Sequence, residues 1–250
     1  PSDKVLLIQA KTGSGKSTAL PTEIYREFLN PNLNQKYNGP GIVVTQPRVI
    51  TAIDIPTVQI LGSKWGEGFK LGNTVGYSTG TAKQRSIHGI TYFTDWSFKY
   101  QLENWSDEEI LNNYSFIILD EVHERSVDLD VILMLLKKYI NKFYKNPKCP
   151  MIILTSATFD TEQYANYFNI IPNWKSIIKV EGNTYPISNV FLNSPAYNYN
   201  ESILNIIETI TKKTKENDDI LIFVPGAAEA SEIKKKLELF HASKLFPNGS

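Results

Sequence analysis

Between Ala10 and Thr18 the chain reads AKTGSGKST, after a short apolar run (KVLLIQA) and ahead of a segment at helical spacing, KSTALPTEIYREFL. Glycine at Gly13 and Gly15 lets backbone N–H groups turn inward on an oxyanion with no side chain in the way. Lys16 can reach the outer phosphates of a nucleoside triphosphate such as ATP, and the Ser17 hydroxyl can ligate Mg2+. The helix start adds its partial positive charge. Ser14 and Thr18 complete the string. It departs from G-x-x-x-x-G-K-[ST] only at Ala10, where a small residue replaces the first glycine. The alternative is a Gly/Ser turn with a solvated lysine, and the flanking strand and helix count against it.

A second constellation lies roughly a hundred residues on, in IILDEVHERS (Ile117–Ser126). A strand ending in Asp120-Glu121 offers carboxylates to Mg2+, directly or through water, and one of them can polarise an attacking water. Alone the pair would be a weak signal, since acidic residues also open loops and cap helices. Following a phosphate loop on the same expected sheet, it becomes a strong one. The metal candidates are Ser17, Asp120 and Glu121. His123 either links the nucleotide to a neighbouring domain or is a solvated or capping histidine. His88, His123, His241 and Cys149 have no metal-ligand spacing, so no zinc is expected.

The elements that must carry these residues read as α/β. GIVVTQ (Gly41–Gln46), SFIILDE (Ser115–Glu121) and PMIILTSAT (Pro150–Thr158) are continuous apolar runs, the pattern of parallel strands covered on both faces. Helical segments between them, notably VDLDVILMLLKKYINKFY (Val127–Tyr144), predict a doubly wound, mostly parallel sheet. Residues 30–41 read as a surface loop. After Val180, EGNTYPISNVFL reads as a connecting strand, then come a helix over Ser202–Thr211, a strand at ILIFVPG and another helix. Residues 1–182 are therefore expected to form one domain, and 183–250 a linker with the start of a second.

Composition sets the bounds. The 250 residues carry 26 Lys+Arg and 26 Asp+Glu, a formal net charge of +0, which excludes a strongly basic nucleic-acid-coating protein but not a local basic groove. One cysteine excludes an intramolecular disulfide. No apolar run is long enough to span a bilayer and no signal pattern opens the chain, so the expectation is a protein of the cytoplasm or nucleus without membrane contact. Only four arginines occur, amid abundant Lys, Asn, Ile and Tyr, a bias that would suit an AT-rich source such as a large DNA virus or a protist.

TGSGKST, TQPR (Thr45–Arg48), TDW (Thr94–Trp96), DEVHERS, SATFD (Ser156–Asp160) and ILIFVPG occur in the order of the motifs of superfamily 2 helicases. The chain most resembles the DEAH-box/RHA group of RNA helicases. That resemblance implies a RecA-like P-loop NTPase domain, joined to the start of a second RecA-like domain. It implies hydrolysis of ATP or another NTP with Mg2+, coupled to movement along single-stranded RNA, or RNA with a single-stranded overhang, and to duplex unwinding. Gly13, Ser14, Gly15, Lys16, Ser17 and Thr18 would hold the triphosphate, Asp120 with Ser17 the metal, and Glu121 would activate water. Ser156 and Thr158 would couple hydrolysis to domain movement, and Arg48 and Thr94 would contact the RNA backbone.

The family usually has Ala at Val122 and Gly at Trp96. Arg48 could instead pair with an acid, Thr94 could cap a helix, and Trp96 is either a base-stacking ring or a buried anchor. The family's last motifs, with arginines that reach the γ-phosphate, are absent before Ser250, so weak nucleotide binding and very poor hydrolysis are expected of these residues alone. Two other readings share these motifs: a helicase-related DNA translocase, and a nucleic-acid-binding scaffold with a degenerate ATPase site.

Overall fold

The computed structural model describes residues 4–11, 13–30, 38–158, 161–170, 176–180, 186–211 and 219–245. The chain divides into two compact units, Pro1–Thr184 and Tyr185–Ser250.

The first unit is built on an eight-stranded sheet. Its strands are β1 (Val5–Ala10), β2 (Gly41–Gln46), β3 (Val75–Ser78), β4 (Lys83–Gln84), β5 (Ile90–Thr94), β6 (Tyr114–Leu119), β7 (Met151–Ser156) and β8 (Ile177–Val180). They lie in the order β4-β3-β5-β2-β6-β7-β1-β8, all parallel except the short β3–β4 pairing. Alternate residues of each central strand feed opposite faces. Val43, Ile117, Leu119, Leu7, Ile152 and Leu154 enter one core, and Ile42, Val44, Ile118, Ile8 and Ile153 the other. Burial on both faces is why these strands read as unbroken apolar runs.

Helices α3 (Asp95–Asn104), α4 (Asp107–Asn113), α5 (Val127–Phe143) and α6 (Thr161–Phe168) supply residues to the first core. The second core is closed by α1 (Ala19–Ile24) with its wider continuation Tyr25–Leu29, and by α2 (Val49–Asp54) with its continuation Ile55–Ile60. The helix expected from Lys16 begins instead at Ala19. Lys16–Thr18 form a turn, and Pro21 sits in the first helical turn, where its missing N–H costs nothing. The carboxylate-bearing strand stops at Leu119, so Asp120 and Glu121 follow it rather than end it.

Ser126 ties α3 to α5. Its hydroxyl donates to Asp95 Oδ2 at 2.8 Å and accepts the Leu129 N–H at 3.0 Å as the N-cap of α5. Burial pushes the Asp95 carboxyl above its ordinary range, the Ser126 bond partly reverses this, and Asp128 and Glu124 add to the rise. A carboxyl raised in the folded state binds its proton more tightly than in the unfolded chain. Stability therefore falls as pH rises from the ordinary carboxylate range through the folded value. Asp95→Asn is expected to raise the melting temperature at neutral pH and to change it little at pH below that range. Thermal melts at the two pH values check this, and an equal shift at both would contradict it.

In the second unit α7 (Tyr199–Thr211) and α8 (Ala227–Leu245) are helices as expected. Two expected strands are absent among the described residues. Pro186–Leu192 is irregular and exposed, and Ile220–Val224 has no ladder partner, leaving Leu221 79% and Phe223 87% exposed. A strand exists only through a hydrogen-bonded neighbour, so apolar residues alone did not make one. Residues 31–37, 181–185 and 212–218, and Phe159 and Asp160 of SATFD, lie outside the described residues.

Candidate active site

The parallel strands bring their C-terminal ends to one edge of the sheet, so the turns after β1, β2, β6 and β7 converge there. The turn after β1 carries Gly13 and Gly15 at φ +80° and +86°, the left-handed region that favours glycine. A Cβ on Gly15 would meet the Ala19 Cβ at 2.9 Å. The loop is held by backbone bonds from Ser14 N to Lys11 O (3.2 Å) and Thr18 N to Gly15 O (3.2 Å). Tyr92, on β5, donates its hydroxyl to Ser17 O at 2.6 Å. Burial and the nearby Asp120 carboxylate push the Tyr92 pKa well up, which keeps that donor protonated.

Asp120, only 1% exposed, is the hub. Its Oδ2 accepts the Ser17 hydroxyl at 2.5 Å and the Gln46 amide at 2.7 Å, and its Oδ1 accepts the Thr155 hydroxyl at 2.5 Å and the Glu121 N–H at 3.0 Å. A buried carboxylate with four donors, from the phosphate loop and from the ends of β2, β6 and β7, is satisfied and fixed in orientation.

Glu121 has a left-handed backbone, φ 53° and ψ 41°, costing a non-glycine residue roughly 1–2 kcal/mol. That turn swings its side chain onto the phosphate loop, where Oε1 pairs with Lys16 Nζ at 2.8 Å. Its Oε2 lies 3.3 Å from His123 Nδ1, and the same nitrogen is 2.9 Å from Ser156 Oγ. Ser156 Oγ in turn accepts the Thr158 N–H at 3.2 Å. Lys16, Glu121, His123, Ser156 and Thr158 thus form one polar chain from the phosphate loop to the end of β7.

A cleft of about 650 Å³ opens on this chain, with Gly13–Ala19, Glu121 and His123 in its lining. Arg48 also lines it, its side chain 73% exposed and 3.5 Å from Glu124 Oε1, the acid pairing weighed from sequence. Such an exposed pair contributes little to stability. Thr94 is the N-cap of α3: 6% exposed, it donates to Ser97 Oγ at 2.9 Å and accepts the Ser97 N–H at 3.4 Å. Trp96 is not a buried anchor. It is 51% exposed and stacks on Tyr100, ring centroids 5.8 Å apart. Val122 is fully buried in the core beside the carboxylates.

Sequence reasoning missed Gln46, Thr155 and Tyr92 as supports. Gln46 and Thr155 were visible as polar residues closing apolar strands, the place where side chains meet a ligand in a parallel sheet. Nothing local marked Tyr92, which depends on β5 lying beside β2.

A glycine loop between strand and helix, facing a carboxylate pair that follows another parallel strand of the same sheet, two places away across β7, defines a P-loop nucleotide-binding domain. The DEAD/DEAH box helicase family profile matches residues 2–166, and the chain belongs to that family. It is 39% identical over 242 residues to the B962L protein of African swine fever virus, covering 91% of this chain and 24% of that protein. To HrpA of Borreliella burgdorferi, an ATP-dependent RNA helicase, it is 33% identical over 251 residues, covering 97% of this chain and 28% of that one. To the human ATP-dependent RNA helicase DHX33 it is 30% identical over 250 residues, covering 99% and 32%. The chain therefore spans about a quarter to a third of the length of these relatives. The crystal structure of the Escherichia coli DEAH/RHA helicase HrpB matches 94% of this chain and 27% of that one, with a TM-score of 0.71 at 22% identity, so the fold is the RecA-like helicase fold. No helix among the described residues is long and apolar enough to cross a membrane.

Proposed function

We propose that residues 1–182 are the first RecA-like domain of an ATP-dependent RNA helicase motor, and that residues 183–250 lead into the second. The division at Thr184/Tyr185 supports that boundary. The observation that carries the reading is the Lys16–Glu121 ion pair lining the cleft together with Ser17, whose hydroxyl is held by the buried Asp120, an arrangement that supports an intact rather than degenerate triphosphate site.

Gly13, Ser14 and Gly15 would wrap the phosphates, and the buried Lys16 ammonium would transfer from Glu121 to the outer phosphate oxygens. Glu121 would then be free to hold and take a proton from the attacking water, with His123 steadying its other oxygen. Ser17 Oγ and Asp120 Oδ2 converge at 2.5 Å, a hard-oxygen pair that fits Mg2+. When bound, that ion would neutralise charge on the β- and γ-phosphates. Glu121 was also a metal candidate, but it faces Lys16 and suits the water better. The bonds from His123 to Ser156 and from Thr158 to Ser156 support a role for this trio in passing the state of the nucleotide to the end of β7.

RNA as the track is supported by the relatives named as RNA helicases. The exposed Arg48 is the candidate phosphate contact. Thr94 offers no free hydroxyl, because it donates to Ser97 Oγ and caps α3 by accepting the Ser97 N–H. Arg48→Ala is expected to weaken binding to single-stranded RNA of every sequence and to reduce the slope of log affinity against log salt by roughly 0.7, one phosphate's worth. A salt titration checks this, and an unaltered slope would leave Arg48 only its pair with Glu124. For the activity itself, the full protein with ATP is expected to unwind a duplex bearing a single-stranded RNA overhang and not a blunt one. No unwinding of either would sink the motor reading.

A further inference from the structure

Charge is distributed unevenly around the cleft. The phosphate loop, Arg48, Glu121, His123 and Glu124 give the cleft polar and ionic lining, whereas the remaining lining from α2, its continuation and the turn after it carries no charge. Thr51, Ile55 and Gln59, at intervals of four along α2 and its continuation, stand on one side of that helix and line the cleft together with Trp65. Trp65 is the only indole or phenyl ring lining it among the described residues. Phosphates have no use for such a wall. The flat, apolar base at the other end of a nucleoside triphosphate does.

We propose that Trp65 is the base-stacking residue of the nucleotide site, its indole forming the ledge on which the nucleobase lies. This rests on the reading of the cleft as a triphosphate site. The ledge is built rather than incidental. Trp65 sits half-buried in a single turn, Lys64–Gly66, whose N-cap Ser63 accepts the Trp65 N–H at 3.3 Å. Gly66 is pressed against the helix end, where an added Cβ would lie 2.2 Å from Ile60 O. On the far side of the turn Arg26, from the continuation of α1, donates to Glu67 O at 2.9 Å and lies over the Phe69 ring at 5.0 Å. The helix that follows the phosphate loop therefore also anchors the ledge, which keeps the spacing between phosphate and base ends constant. The Lys64 ammonium, 4.9 Å from the Trp65 ring centroid, does not itself line the cleft.

The test compares two ligands in the full protein with Mg2+ by calorimetry: ATP, and inorganic tripolyphosphate, which has no base. Trp65→Ala is expected to weaken ATP roughly ten-fold or more, the usual effect of losing a base–aromatic stack, and to leave tripolyphosphate unchanged. Trp65→Phe, which keeps a ring and guards against a folding defect, is expected to recover most of the ATP affinity. Unchanged ATP affinity in Trp65→Ala would overturn the proposal. So would an equal loss of both ligands, or a phenylalanine variant no better than alanine. If the unaltered protein binds neither ligand, the triphosphate reading fails and this inference falls with it.

Discussion

Lys16→Ala is expected to weaken ATP binding by roughly a hundred-fold or more while leaving the fold intact. Lys16 is 6% exposed, lines the cleft and has its ammonium paired with Glu121 there. A charge-assisted hydrogen bond contributes about 1.5–3 kcal/mol, and a buried ammonium can make more than one to a triphosphate. The fold should survive because backbone bonds and the Tyr92 hydroxyl hold the loop, not the lysine side chain. Glu121 would lose its ion pair but keeps His123 at 3.3 Å and stays partly solvated. Calorimetry with ATP beside a circular dichroism spectrum checks both halves. Unchanged ATP affinity would mean the loop is decorative, and a collapsed spectrum would mean the pair with Glu121 is structural.

Glu121→Gln is expected to separate binding from turnover. Glutamine keeps the size of the side chain but cannot accept a proton from water, and losing a positioned general base typically costs about 10²–10⁴ in rate. Binding should persist or tighten, because the Lys16 ammonium no longer has to leave a carboxylate before it meets phosphate. Single-turnover hydrolysis measured beside ATP affinity tests this. A rate within a few-fold of the unaltered protein would move the base elsewhere, and a parallel loss of affinity would make Glu121 a binding residue.

Both expectations rest on residues that could be read from sequence, for a physical reason. Phosphate loops and strand-end carboxylates do their work through local spacing, so Gly13–Thr18 and Asp120-Glu121 stand out in the chain itself. The central strands are equally legible, since burial on both faces leaves an unbroken apolar run in β2, β6 and β7. What escaped was whatever depends on the order of strands in space. Strands β3, β4 and β5 lie between glycines in a polar stretch where Ser78, Thr91 and Thr94 are buried by their neighbours rather than by their own character. Gln46 and Thr155 became ligands of Asp120 only because β2 and β7 flank β6.

Thr94 and Trp96 illustrate the same limit at the level of single side chains. A threonine before a helix can cap it or contact a ligand, and only the Ser97 N–H donated to Thr94 Oγ1 at 3.4 Å decides for the cap. An aromatic residue in a motif reads equally as a base-stacking ring or a buried anchor, and only the exposure of Trp96, open on Tyr100, excludes the anchor. The strand expected at ILIFVPG failed for the complementary reason. Its apolar residues were read correctly, but a strand is defined by a partner that these residues lack among those described.

The most direct test of the motor reading is steady-state ATP hydrolysis by the full protein, alone and with matched single-stranded RNA or DNA, alongside the Glu121→Gln variant. The expected result is hydrolysis strongly stimulated by RNA, little by DNA, and lost in the variant, since sensitivity to the 2′-hydroxyl marks an RNA track. Equal stimulation by both polymers would contradict the RNA assignment and point to a DNA-competent translocase. ATP bound but never turned over with either polymer would contradict the motor itself and leave a nucleotide-binding scaffold.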